Sequence, residues 1–151
     1  MKLTSRELLI TLDGGETARD RCRRYRRELL LPAVVPPGTD KIIVPLLDGV
    51  MNSVTAPSSL AIGAVEILAI RGELGPVVKN GRRMTFLTTP SVYDNDALVY
   101  LNITVGGQIA SLPSPADEAA GRRQWVVQTI AEGGLPSTRT VLRALTGVAR
   151  R

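Results

Sequence analysis

Pro76–Val105, PVVKNGRRMTFLTTPSVYDNDALVYLNITV, holds the clearest pattern in the chain and decides the expected fold. Its first part reads as a strand over Arg82–Thr89, entered through a Lys79-Asn80-Gly81 turn. Asn-Gly favours a hairpin because both residues tolerate positive φ. The second part, Ala97–Val105, sets Val99, Leu101, Ile103 and Val105 against Leu98, Tyr100, Asn102 and Thr104. A period of two predicts a strand with an apolar face and a face carrying a phenol, an amide and a hydroxyl. That polar face can bind a ligand while helices from the following segment cover the other.

Downstream, Leu112–Val148 changes character. Ser114-Pro115-Ala116-Asp117 is a helix start, with Ser as N-cap, Pro at the first helical position and Asp completing a capping box. Ala116, Ala120, Val127 and Ile130 then line one helical face, with Trp125 roughly opposite. Gly133-Gly134 stops this helix, and a second begins at Pro136-Ser137 with Val141, Leu142, Leu145 and Val148 as its apolar side. Arg139, Arg143, Arg150 and Arg151 make the end wholly basic.

Upstream, Arg6–Leu12 reads as a strand ended by Asp13-Gly14-Gly15. Glu16–Leu31 spaces Ala18, Cys22, Tyr25 and Leu29 as a helical stripe, with a returning strand as the rival assignment. It carries Arg19, Arg21, Arg23, Arg24, Arg26 and Arg27: the cluster reads as a surface adding non-specific affinity for RNA phosphates, whereas the individual arginines read as a solvated face partly neutralised by Glu16, Asp20 and Glu28. Pro32–Gly38 is a stiff connector, and Lys41–Leu47, interrupted by Pro45, is an edge strand or extended arm. Asp48–Ser59 has a loop composition, and Ala64–Ile70 reads as a strand. The expected class is therefore α+β: an antiparallel sheet followed by a C-terminal two-helix hairpin. The chain forms one domain over 1–151, with a divergent N-terminal part in 1–59, the sheet in 60–105 and the hairpin in 112–149.

The totals narrow the chemistry. A chain of 151 residues can bury a core, and with five aromatic residues that core is aliphatic. Net charge is +5, and Arg, whose planar fork of donors fits phosphate oxygens, supplies most of the cations. A single Cys22 and no histidine exclude a structural zinc site or a disulfide within one chain, and no cofactor is expected. No nucleophile motif or phosphate loop appears, and Asp94 and Asp96 read as loop-solvating, so an enzyme is not expected. Leu3-Thr4-Ser5-Arg6-Glu7 interrupts any signal-peptide core, and no apolar run approaches a membrane span. The expectation is a protein soluble and intracellular when made.

The order of these elements resembles the coat proteins of the small single-stranded RNA bacteriophages. The resemblance lies in Arg82–Val92, the loop Ser91–Asp96, Tyr100-Leu101-Asn102, and Gly133-Gly134-Leu135-Pro136-Ser137 ahead of a last helix. It covers about Val65 to Leu145, with a weaker echo in the opening RELLITLDGG. Glu16–Ser59 has no clear counterpart, and Met84 and Phe86 leave the register of Arg82–Thr89 open by one position.

The resemblance implies an intertwined homodimer with one continuous sheet, assembling into an icosahedral shell around single-stranded RNA and binding an RNA hairpin. Its location would be the virion, after assembly in the bacterial host cytoplasm. On this reading Tyr100 stacks on a base, Asn102 and Thr104 bond base edges, and Thr85 shares the face. Arg71, Arg82 and Arg83 would hold phosphates. Trp125, Val127, Ile130, Leu142 and Leu145 form the expected dimer interface. The alternative is a cellular RNA-binding module that builds no shell.

Overall fold

The computed structural model describes residues 15–130 and 133–151. The expected strand at Arg6–Leu12 lies outside the described residues. The class is α+β, and both sheets are antiparallel. In chain order the elements are α1 (Ala18–Glu28), β1 (Ile42–Pro45), β2 (Asn52–Pro57), α2 (Ser58–Arg71), β3 (Val77–Asn80) and β4 (Arg83–Thr88). Then come α3 (Leu98–Leu101), β5 (Thr104–Val105), β6 (Ile109–Leu112), α4 (Pro115–Ala119), β7 (Gln124–Val127) and α5 (Thr138–Ala149). The main sheet has the order β5-β2-β4-β3-β7, and β1 pairs with β6 in a separate two-stranded sheet. No described helix is long and apolar enough to cross a membrane.

Strand alternation gives the main sheet two different faces. Val54 pairs with Phe86, and Phe86 with Val77, so these residues point one way with Ala56 and Met84. Helices α2 and α5 cover that face, supplying Ala61, Ala64, Leu68, Val141, Leu142 and Leu145 to an aliphatic core. Gly63 permits the close approach of these helices: a Cβ there would sit 2.9 Å from a Val148 methyl. Ser53, Thr55, Thr85, Leu87 and Val78 point the other way. Over Leu87 and Val78 lies a second core built from Cys22 and Tyr25 of α1 and its C-cap Leu29 with Ile42, Val44, Ala110 and Leu112 of the small sheet.

Several sequence expectations hold. The β3–β4 hairpin forms where Asn-Gly marked a turn, but its loop is Gly81-Arg82: Asn80 pairs with Arg83, and of the Asn-Gly pair only Gly81 has positive φ, at +63°. The stripe of α1 buries Cys22, Tyr25 and Leu29. Ser114 and Asp117 form the capping box, and Ser137 caps α5. β1 is an edge strand of the small sheet.

Other expectations are corrected. Ala97–Val105 is a strand only at its end, Thr104–Val105: before it, Leu98–Leu101 makes one helical turn, and Asn102, at φ +57°, ends that turn. Leu98 and Leu101 face inward at i, i+3, whereas Val99 and Tyr100 are exposed, so a single helical turn accounts for the residues that the period of two had sorted. Asp48–Ser59 contains the central strand β2, whose hydroxyls alternate with Val54 and Ala56. Ala64–Ile70 lies inside α2, which is apolar around much of its girth and hides its period.

The expected C-terminal two-helix hairpin does not form among the described residues. After five residues α4 ends before Gly121, at φ +70°, and Gln124–Val127 forms β7 on the sheet edge. Helix α5 pairs with α2 instead.

Candidate nucleic-acid interface

The second core leaves one end of the hydroxyl-bearing sheet face open. There β6 stands over the main sheet and the two enclose a cleft of about 200 Å³. Ser53, Thr55, Asn80, Thr85, Ser111 and Arg123 give it a polar lining. Thr55 and Thr85 share a hydroxyl hydrogen bond at 2.9 Å across the β2–β4 pair. The Arg83 guanidinium donates to the carbonyls of Thr55 (3.3 Å) and Asn102 (3.0 Å), which orients it beside the cleft. Lys79, Arg82 and Arg83 crowd the β3–β4 hairpin tip, and none has an acidic partner among the described residues. At the same tip the buried Ser58 hydroxyl has no hydrogen-bond partner, and the Ser58 N–H donates to the Arg82 carbonyl.

Of the residues expected to contact RNA, Arg82, Arg83, Thr85, Asn102 and Thr104 gather around this end of the sheet. Thr104 pairs with Thr55, which in turn pairs with Thr85. Tyr100 does not share a strand face with Asn102; it is 92% exposed on α3. Arg71 is remote, because α2 begins against the hairpin tip and Arg71 ends it, about 20 Å away at the usual helical rise. Ser53, Thr55, Asn80, Ser111 and Arg123 are additions, four of them from segments read from sequence as a loop or a helix or left unassigned.

The expected dimer-interface residues face their own chain. Leu142 and Leu145 are buried in the first core, and Val127 packs against it. Ile130 and Trp125 pack against the second. The Trp125 indole N–H donates to the Tyr25 hydroxyl at 2.8 Å, with the rings edge to face at 5.3 Å. The Tyr25 hydroxyl donates to the Pro113 carbonyl at 2.7 Å, and burial pushes its pKa up.

Electrostatics pin the same region. Arg21 bridges Glu16 (2.6 Å) and Glu118 (2.8 Å), and Arg24 also reaches Glu16. Asp117, 1% exposed, accepts from Arg123 at 2.8 Å and Arg122 at 3.2 Å. Burial alone would raise its pKa. The hydrogen bonds from Arg123, the Ser114 N–H and Arg122 outweigh burial and hold the carboxyl below its ordinary range. Arg123 therefore reaches the cleft already paired with a carboxylate that it shares with Arg122.

Chemically, the open end offers hydroxyl and amide groups that both donate and accept, beside cations without local counter-charges. That combination suits a polyanion with hydrogen-bonding edges. Comparison of the chain with protein-family models, with curated proteins and with solved structures found no match.

Proposed function

We propose that this chain is a coat-type structural protein that binds single-stranded RNA at the open end of its main sheet and assembles with copies of itself. The observation that carries the RNA reading is the cleft lined by the hydroxyls of Ser53, Thr55 and Thr85, with the Arg83 guanidinium held on the Thr55 carbonyl beside it and Lys79 and Arg82 at the adjoining hairpin tip. Cations at the tip attract phosphates, while the cleft presents partners to base edges or the ribose 2′-hydroxyl. Stacking by Tyr100 on α3 can add to this only from outside the cleft.

Self-assembly is supported by the sequence resemblance and by the sheet edges. β5 and β7 each pair with one neighbour among the described residues, so each leaves a backbone edge on which a second copy can add. Because Trp125, Leu142 and Leu145 are held within the chain, the association runs through strand edges in place of the expected helix-crossing contacts.

Electron microscopy of purified protein, with extraction of any bound RNA, tests this reading. Regular particles carrying RNA are expected. A variant with Lys79, Arg82 and Arg83 replaced by Gln should assemble but carry less RNA. Monomers that bind no RNA at low salt would refute both halves of the proposal.

A further inference from the structure

A second groove lies on the far side of the main sheet from the cleft. It has a volume of about 860 Å³ and runs between the 92–97 loop and α5. Arg139, Arg143, Thr146 and Arg150 line one wall at i, i+4, i+7 and i+11, a single stripe along the helix. The three guanidinium groups have no acidic partner among the described residues. Asp94 and Asp96 lie on the other wall with Tyr93, and the Asp94 carboxylate accepts from the Asp96 N–H at 2.9 Å. Neither carboxylate reaches the arginines within ion-pairing distance, so the two walls hold opposite charges apart.

We infer that this groove is a second binding site for single-stranded RNA, with the backbone along α5 and the base edges toward the 92–97 loop. The stripe spans about 16 Å at the helical rise, enough for several phosphates at the roughly 3.4 Å spacing of a stacked strand. A plain polyanion such as an acidic peptide gains from the arginine wall but is repelled by the aspartate wall. A ribonucleotide strand is itself two-sided. Its phosphates meet the arginines, while amino groups of cytosine, adenine or guanine and the ribose hydroxyl can donate to Asp94 and Asp96. The inference shares the RNA reading proposed above but not its site. One chain with sites on opposite sides of its sheet can hold two RNA segments.

The test uses full-length protein and fluorescently labelled oligocytidine and oligouridine, with binding followed by anisotropy over a range of salt. Replacing Arg139, Arg143 and Arg150 by Gln should reduce the log–log salt slope by about 2, at roughly 0.7 per lost contact. Asp96→Asn should narrow the preference for oligocytidine over oligouridine. Thr146→Glu, in the middle of the stripe, should weaken binding of both oligomers at least tenfold at low salt, with an unchanged thermal melt. An unchanged slope in the arginine variant, or polyglutamate competing as well as RNA of equal charge, overturns the inference. Loss of slope in the hairpin-tip variant but not in the α5 variant sinks this site and leaves the cleft standing. The reverse pattern removes the cleft and keeps the groove.

Discussion

Helices α1 and α5 both carry arginines on their solvent side, yet the fold puts them to different uses. In α1, Arg21 and Arg24 bind Glu16, Arg21 also binds Glu118, Arg23 meets Asp20, Arg27 meets Glu28, and Arg26 donates to the Ala33 carbonyl. In α5 and its C-cap, Arg139, Arg143 and Arg150 face a groove without acidic partners among the described residues. The lesson is that arginine density does not locate a binding surface. What matters is whether the fold brings carboxylates to the same place. Glu118 reaches Arg21 from 97 residues away.

If α1 is scaffold, its disruption should be felt first as lost stability. Tyr25→Ala removes a fully buried ring, its bond to Pro113 and its contact with Trp125. The expected loss is about 3–5 kcal/mol, as for other buried aromatic truncations. Denaturant unfolding checks it; a variant that unfolds like the parent but loses RNA would invert the comparison. A smaller loss, about 1–3 kcal/mol, is expected for Gly75→Ala, because the new methyl would lie 2.7 Å from the rigid Pro136 ring that leads into α5. Urea midpoints for Gly75→Ala and Gly63→Ala together show how tightly α5 is seated. Equal midpoints in both variants and parent would mean the groove wall is loosely held.

Acid sharpens the contrast. The native pKa of Asp117 lies below its ordinary value of 3.8, so its stabilising effect is complete above that value. It is lost as pH falls through the depressed native value. Asp117→Asn should therefore show a weaker decline in stability below about pH 4 than the parent, in a pH series of thermal melts. An unaltered decline would assign the acid sensitivity to other carboxylates.

The sequence made some of this legible for physical reasons. Local signals survived: the Asn80-Gly81 turn, the Ser114 capping box, the Ser137 cap and the stripes of α1 and α5 all depend on neighbours within a few residues. The failures share a different cause. Gln124–Val127 alternates in exposure but not in sequence, where Trp125, Val126 and Val127 are all apolar, so only Gly121 marks the stop of the helix that the strong start at Ser114 predicts. Ala97–Val105 did alternate, yet the αL conformation of Asn102 and the Asp94 turn bent it into a helical turn. β2 looked like a loop because Ser, Thr and Pro dominate it, and its partners β4 and β5 lie far along the chain.

The site was legible to the same degree. Arg82, Arg83, Thr85, Asn102 and Thr104 do lie near one another, but the expected register joining Tyr100 to Asn102 does not exist. Thr55 and Ser111 could be found only once β2 and β6 were paired with their neighbours.

The smallest effect expected is also the sharpest check. Replacing Arg23, Arg24, Arg26 and Arg27 by Gln removes four charges, one more than replacing Lys79, Arg82 and Arg83. Salt titration of single-stranded RNA binding by the two variants, side by side with the parent, tests the central claim directly. The account predicts an α1 variant with the parental slope and a hairpin-tip variant whose slope falls by about 2. A larger fall in the α1 variant than in the hairpin-tip variant would contradict it.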